Sequence, residues 1–314
     1  MTRLAVERAS RRHRSTRRMR ASVHARAGRV AVDRARRGAS TRRRRGRARA
    51  NATRGNAVVV VVEEDADGGT APRVLFENEA VVVVDKPPGM SFHSERGPGA
   101  LQTTRASRGE GGGALLSVHR LDKPTSGILV FAKTPEARDA LSRAFEEKKI
   151  VKYYVGVSAK RPKKKMGTVL GDMKQARRKA YMLTPTTENP AETKFVSFGA
   201  LGSGGRAVRM FVFRPLTGKT HQLRVTAKSL GSALLGDDTY GGESGVDRMY
   251  LHACAMRIPA SVGIGPAIQI ICSPVGSGDE WDSAAFERYF PETLANDMGA
   301  WFNDQPLLRS TIDQ

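Results

Sequence analysis

Residues 1–57 carry twenty arginines, no lysine, no aromatic residue and only two acids, Glu7 and Asp33. A segment so poor in large apolar groups cannot bury enough surface to offset the entropy of ordering its chain. Whatever fold the protein adopts must therefore be built from residues 58–314. The same stretch changes the meaning of the net charge of +22: twenty arginines against two acids supply +18, and the remaining 33 basic residues against 29 acids supply +4. The part able to fold is only mildly basic, so a nucleic-acid role has to rest on a site and not on total charge. Arg-rich, Ser-containing and acid-poor is the composition of an organelle transit peptide, which predicts import into a chloroplast or mitochondrion. The alternatives are a retained arm that grips RNA phosphates, leaving the protein in the cytoplasm or nucleus, and an inert extension.

The chain is 39% hydrophobic, enough for a core in the remaining residues. No apolar run approaches the length of a membrane span, so no membrane partner is expected. Cys254 and Cys272 are isolated from one another in sequence, which rules out a disulfide framework or a clustered-thiol zinc site. The valine run at 58–62 is followed by an acidic, Gly-containing stretch and by Pro72, and 58–72 reads as a linker. A folded domain is expected over 73–290, interrupted by a Gly-rich surface loop at 96–113, with a C-terminal tail at 291–314.

Within that domain, 74–76 and 80–85 read as a hairpin and 126–133 as an apolar strand. Thr134-Pro135-Glu136 supplies a cap, a first-turn proline and an early acid, so a helix starts there. Its apolar residues fall at i, i+3, i+4, i+7 and i+8 from Ala137, and Lys148 and Lys149 close its last turn. Further strands are expected at 151–157, 180–183, 194–198, 207–213, 249–258 and 268–272. A helix is expected at 220–230, with His221, Arg224 and Lys228 on one stripe. The basic run 160–165 reads as a loop. This mixture predicts an α+β domain on a mixed, mostly antiparallel sheet with flanking helices.

Several cofactor signatures fail. The Gly218-Lys219-Thr220 end of a phosphate loop lacks its leading glycine, since Phe213 stands there. The two isolated cysteines cannot complete a zinc deaminase site. Gly202, Gly204 and Gly205 precede a strand and not a helix, so they make no dinucleotide fingerprint. No metal or other cofactor is expected.

Chemistry concentrates in His119-Arg120-Leu121-Asp122 and the adjoining Thr125-Ser126-Gly127, a basic pair, an acid and a turn between two apolar strands. Taken alone, Asp122 has two readings: an Asx-type turn residue, or a carboxylate kept ionised by a neighbouring guanidinium and able to act as a nucleophile.

This string resembles the signature of the RluA-type pseudouridine synthases. The context matches in order: Asp85-Lys86-Pro87-Pro88-Gly89, then Val151-Lys152-Tyr153-Tyr154, then 217–225 with His221-Gln222-Leu223-Arg224, then 235–241, then Arg248-Met249-Tyr250-Leu251-His252-Ala253. Asp85 stands where the family usually has Asn. The chain lacks the N-terminal RNA-binding module of some relatives and carries the Arg-rich segment instead, which bears on the choice of target.

The resemblance implies an RNA pseudouridine synthase needing no cofactor. Ribosomal RNA is the expected partner and tRNA the alternative, and the protein is expected to work as a monomer. Asp122 would be the catalytic carboxylate, attacking ribose or ring or stabilising charge at the ribose. Arg224 would pair with it, and Tyr154 would stack under the flipped base and move a proton. Tyr153, on the opposite strand face, is assigned to the core. Leu251 would line the uracil pocket. His119, Arg120, Thr125 and His221 complete the expected substrate-binding set, with a structural role equally open to His119. No carboxylate or thiol shares the local spacing of His221 or His252, which speaks against a metal. The competing function is a catalytically silent RNA-binding or ribosome-assembly protein.

Overall fold

A computed structural model describes residues 49–50, 57–62, 71–93, 97–109, 113–274, 276–282 and 284. The chain divides into two units, Met1–Arg45 and Gly46–Gln314, and every described residue belongs to the second. The expected transit segment lies outside the described residues except for Arg49, Ala50 and Ala57, and the tail at 291–314 lies outside them entirely.

Among the described residues, thirteen strands and three α-helices form an α+β fold. Strands β3 (Arg73–Glu77) and β4 (Val81–Lys86) are the expected hairpin, and Asn78 Oδ1 fastens its turn by accepting the Ala80 and Val81 amides at 2.9 and 2.8 Å. The next strand in space is β6 (Ser126–Ala132), antiparallel to β4 and also to the short β5 (Leu116–Ser117). Both β4 and β6 are buried along their whole length, which is why they read as unbroken apolar runs and not as alternation. Valines 81–84 are fully buried, each contributing about 1.5–3 kcal/mol by leaving water.

The larger part of the sheet runs in the order β2 (Ala57–Val62), β13 (Ala267–Cys272), β12 (Leu251–Ile258), β7 (Val151–Ser158), β11 (Ala207–Pro215), β10 (Ala191–Leu201), β8 (Met166–Gln175), β9 (Tyr181–Thr184). A two-residue strand β1 (Arg49–Ala50) edges β2, so the sheet, contrary to the expectation from composition, takes Arg49, Ala50 and Ala57 from the N-terminal segment. The pairings are antiparallel except β13 with β2 and β12 with β6.

Helix α2 (Pro135–Glu146) begins as expected, with Thr134 Oγ1 accepting the Ala137 amide at 3.2 Å, and packs Ala137, Leu141 and Ala144 on the β4–β6 layer. Lys148 and Lys149 do not close its last turn but come after it. Lys148 sits at φ 58, its amide bonded to the Phe145 carbonyl and that of Lys149 to Ala144, a Schellman stop normally built on glycine. Helix α3 (Gln222–Ser229) lies within the expected span.

Two further expectations are corrected, and one strand has no counterpart among them. Residues 58–62, placed in a linker, form most of β2, because the valine run pairs with β13 in register from Ala57 with Ala267 to Val62 with Cys272. The 96–113 loop contains α1 (Ala100–Ser107), since its described glycines flank the helix and leave Ala100, Leu101 and Thr104 to pack. Gly99, at its start, is required: a Cβ there would stand 2.6 Å from the Phe92 carbonyl oxygen. Strand β8 went unread because it lies in a largely exposed hairpin with β9, where burial imposes no pattern.

Candidate active site

The segment 119–125 runs from β5 into β6 and is held by groups buried beneath it. His119 Nε2 accepts the Val130 amide at 3.0 Å, and its ring packs on Phe145 with centroids 4.7 Å apart. Lys86, fully buried, donates its three ammonium protons to the carbonyls of Pro87, Met90 and Lys123 at 3.0, 2.9 and 3.1 Å. Burial draws Lys86 down to about 7, assisted by the charge of Arg248 and opposed by Asp122 and Asp85. The Thr125 amide closes the turn on the Asp122 carbonyl at 3.1 Å. Asp122 therefore leaves a fixed loop end, its side chain about a quarter exposed at 23%.

Facing it is Arg224, on α3. Its Nη1 stands 3.6 Å from Asp122 Oδ2, but its two short bonds go elsewhere: Nε and Nη2 hold both oxygens of buried Asp237 at 2.8 and 2.7 Å. The guanidinium also lies 5.0 Å above the Tyr240 ring. Asp237 Oδ1 in turn accepts the Thr239 and Tyr240 amides, so one carboxylate shapes the 237–240 turn and aims Arg224. Sequence reading paired Arg224 with Asp122 and missed Asp237 and Tyr240; the signal available was a Gly-Asp-Asp turn in a block otherwise rich in buried residues.

Strand alternation places Tyr154 and Lys152 on one face of β7 and fully buried Tyr153 on the other. Burial pushes the Tyr154 phenol up, and the negative charge of Asp122 adds to this, so the phenol is protonated at neutral pH. Burial brings the Lys152 ammonium down to about 8, and its Nζ lies 5.5 Å over the Phe145 ring. Lys152 was not singled out from sequence, although its i, i+2 spacing to Tyr154 marks the same face.

These groups open onto a cavity of about 660 Å³, within the ~300–1,000 Å³ of small-ligand sites. His119, Arg120, Asp122, Thr125, Tyr154, His221 and Leu251 all line it. Arg224 stands behind the wall and not in it. The lining also includes the basic residues Arg120, Lys148, Lys152 and Lys219, a set suited to phosphate oxygens. Arg120 Nη2 donates to Thr220 Oγ1 at 2.8 Å, tying the 119–125 segment to the residues that lead into α3. Gln222 holds the segment leading into α3 from inside, accepting from Thr217 Oγ1 and the Lys219 amide and donating to the Glu192 carbonyl and Thr193 Oγ1.

His221 caps α3 in a left-handed conformation at φ 58, with Nδ1 2.9 Å from the Tyr240 hydroxyl. Burial lowers its pKa, with Arg224 and Arg120 adding to the effect and Asp122 and Asp237 opposing it. His119 is held near 3 by burial and by Lys152. With Nε2 taken by the Val130 amide, His119 is a neutral support under the loop. The basic loop 160–165 exposes its cations at the far end of α3, where the Lys163 amide bonds to the Leu230 carbonyl at 3.0 Å.

The RNA pseudouridylate synthase family description matches residues 80–229. A Haemophilus influenzae protein described as an uncharacterized RNA pseudouridine synthase is 39% identical over 209 residues, covering 66% of this chain and 89% of that protein. Ribosomal large subunit pseudouridine synthase C of Rickettsia prowazekii is 29% identical over 201 residues, covering 63% of this chain and 66% of that protein, so the chain spans just under two thirds of that relative. The fold is also similar to that of human RNA Pseudouridylate Synthase Domain Containing 1, with a TM-score of 0.57 and 24% identity over 68% of this chain and 90% of that one.

Proposed function

This chain belongs to the RNA pseudouridine synthase family, and we propose that it isomerises particular uridines of ribosomal RNA, with Asp122 as the carboxylate at the reacting centre. The observation that carries the reading is Asp122 on the lining of the cavity, with Arg224 at 3.6 Å and with the protonated phenol of Tyr154 and the apolar side chain of Leu251 lining the same cavity. The ribosomal target is favoured by the name of the Rickettsia relative.

A base within a helix is out of reach of such a cavity, so the uridine must leave its stack. Tyr154 and Leu251 offer a ring and an apolar wall to the uracil, while Arg120, Lys148, Lys152 and Lys219 meet the flanking phosphates. The N1–C1′ bond breaks, the uracil turns, a C5–C1′ bond forms, and the proton lost from C5 is balanced by one gained at N1. These atoms balance without a cofactor. Asp122 serves by adding to the ribose or to the ring, or by stabilising charge at C1′. Arg224 sets one positive nitrogen, Nη1, 3.6 Å from that carboxylate. Tyr154, resting protonated, handles the C5 proton as a relay that gives up its own proton as it takes another.

We assign residues 1–57 to organelle targeting. A reporter fused to them should enter a chloroplast or mitochondrion, and a diffuse cytoplasmic or nuclear signal would overturn that assignment.

The reaction is tested with ribosomal RNA and tRNA transcripts tritiated at uridine C5. Release of tritium to water from ribosomal RNA supports the proposal. Release from tRNA alone would move the target, and release from neither would remove the activity.

A further inference from the structure

Strands β3 to β6 join the rest of the sheet through two rungs, His252 opposite Ser126 and Ala253 opposite Gly127, in parallel register. The strands approach so closely that a Cβ on Gly127, at φ 103, would stand 2.4 Å from the Ala253 carbonyl oxygen. Asp122 lies on one side of this junction, four residues before Ser126. Tyr154, Arg224 and Leu251 lie on the other. The position of the carboxylate relative to the base platform thus depends on what fixes these two rungs, together with the Arg120–Thr220 bond nearer the cavity.

A directed chain of hydrogen bonds crosses there. Arg248 Nη2 donates to Ser126 Oγ; Ser126 Oγ is 2.8 Å from His252 Nδ1; His252 Nε2 is 3.1 Å from the Cys272 carbonyl oxygen. A guanidinium only donates and a carbonyl only accepts, so the proton order is determined. Nε2 carries the hydrogen, the bare Nδ1 accepts the Ser126 hydroxyl, and that oxygen accepts from Arg248. Arg248 is itself anchored, donating from Nη1 to the Ser277 carbonyl and hydroxyl at 2.9 and 3.0 Å, with Trp281 5.8 Å beneath the guanidinium. Ser126, His252 and Arg248 are all buried, and none of them lines the cavity.

Asp85 and Cys272 also bring ligand-type atoms within 4.8 Å of the His252 ring, which local spacing in the sequence did not reveal. Both ring nitrogens are already bonded, so a metal would find no lone pair on His252 without breaking the chain.

We infer that Arg248, Ser126 and His252 form a positioning relay that holds the 119–125 segment in register across the sheet junction, so that Asp122 meets the uridine held on the Tyr154 side. This rests on the uridine-isomerisation reading. The relay touches no substrate and acts through Asp122; a displacement on the order of 1 Å there is enough to cost ~10²-fold in turnover.

The test uses the full chain, single-turnover and steady-state tritium release from ribosomal RNA, and a parallel RNA-binding measurement. Ser126→Ala and His252→Gln, which lose the Ser126 to Nδ1 bond, should lower kcat by about 10- to 100-fold with KM and RNA affinity within about twofold. His252→Asn places an amide oxygen where Nδ1 stands, accepts the same hydroxyl, and should keep kcat at least about tenfold above His252→Gln. If Ser126→Ala does not fold, the two His252 variants carry the same comparison. Equal kcat in His252→Asn and His252→Gln would overturn the relay while leaving the activity standing. A wild-type protein that binds RNA without releasing tritium would instead overturn the isomerase reading, and the relay with it.

Discussion

Arg224 meets Asp122 with the one nitrogen that Asp237 leaves over. Asp237 takes Nε and Nη2 at 2.8 and 2.7 Å, and Nη1 alone, at 3.6 Å, faces the carboxylate in the cavity. The guanidinium plane is thereby set by a buried group that does not line the cavity. Asp122 is left partly exposed and not locked into a fork of its own.

Asp237→Ala leaves the Arg224 charge buried with only the 3.6 Å neighbour, and removing one partner of a buried pair costs about 3–5 kcal/mol. Urea unfolding should show a loss of that order together with a drop in turnover. A loss below about 1 kcal/mol would mean that Asp237 does not carry Arg224.

Tyr154→Phe keeps the ring and deletes the hydroxyl. If the phenol moves a proton, kcat should fall by about 10²–10⁴-fold while RNA affinity holds, whereas Tyr154→Ala should weaken binding as well. Full turnover in the Phe variant would reduce Tyr154 to a stacking platform.

Much of this was legible in sequence where burial or a turn dictates residue type. The Thr134-Pro135 start of α2, the valines of β4 and the alternation that separates Tyr153 from Tyr154 each arise from local rules. Strand β8 was not legible, because an exposed hairpin imposes no periodicity. The helix in the Gly-rich stretch was hidden because its flanking glycines dominated the composition. The partnership of Ser126 with His252 is set by the closing of the sheet and leaves no spacing to read; His252 and Ser126 are 126 residues apart and still share a rung.

Buried imidazoles make the protein sensitive to acid. His119 and His252 are held to about 3 and about 4, chiefly by burial, against an ordinary value of 6.5. The unfolded chain takes up these protons near pH 6.5 and the folded chain refuses them, so the histidine contribution to stability is full above about 6.5 and falls as the pH drops, by up to ~1.4 kcal/mol per pH unit for each histidine. Glu77, held to about 2 by Arg108 and Lys133, enters only below its ordinary 4.5. The urea midpoint should therefore drop between pH 6.5 and 5, and His252→Asn should flatten the slope. A midpoint constant over that interval would contradict the assignment.

Lys148 pays for its place in the cavity lining with a left-handed backbone at φ 58. Lys148→Gly should relieve about 1 kcal/mol of strain and raise the melting temperature, while weakening RNA binding and lowering the salt dependence of log Kd by about one phosphate contact. A variant that gains stability and binds RNA with an unchanged salt slope would show that this lysine meets no phosphate.

The most direct test is site-resolved pseudouridine mapping of unmodified ribosomal RNA treated with the full chain or with Asp122→Asn. The account predicts a small set of new pseudouridines with the wild-type protein, none with Asp122→Asn, and similar folding and RNA affinity for the two. The same sites formed by Asp122→Asn would contradict it, because the carboxylate beside Arg224 would then not be the group on which the reaction depends.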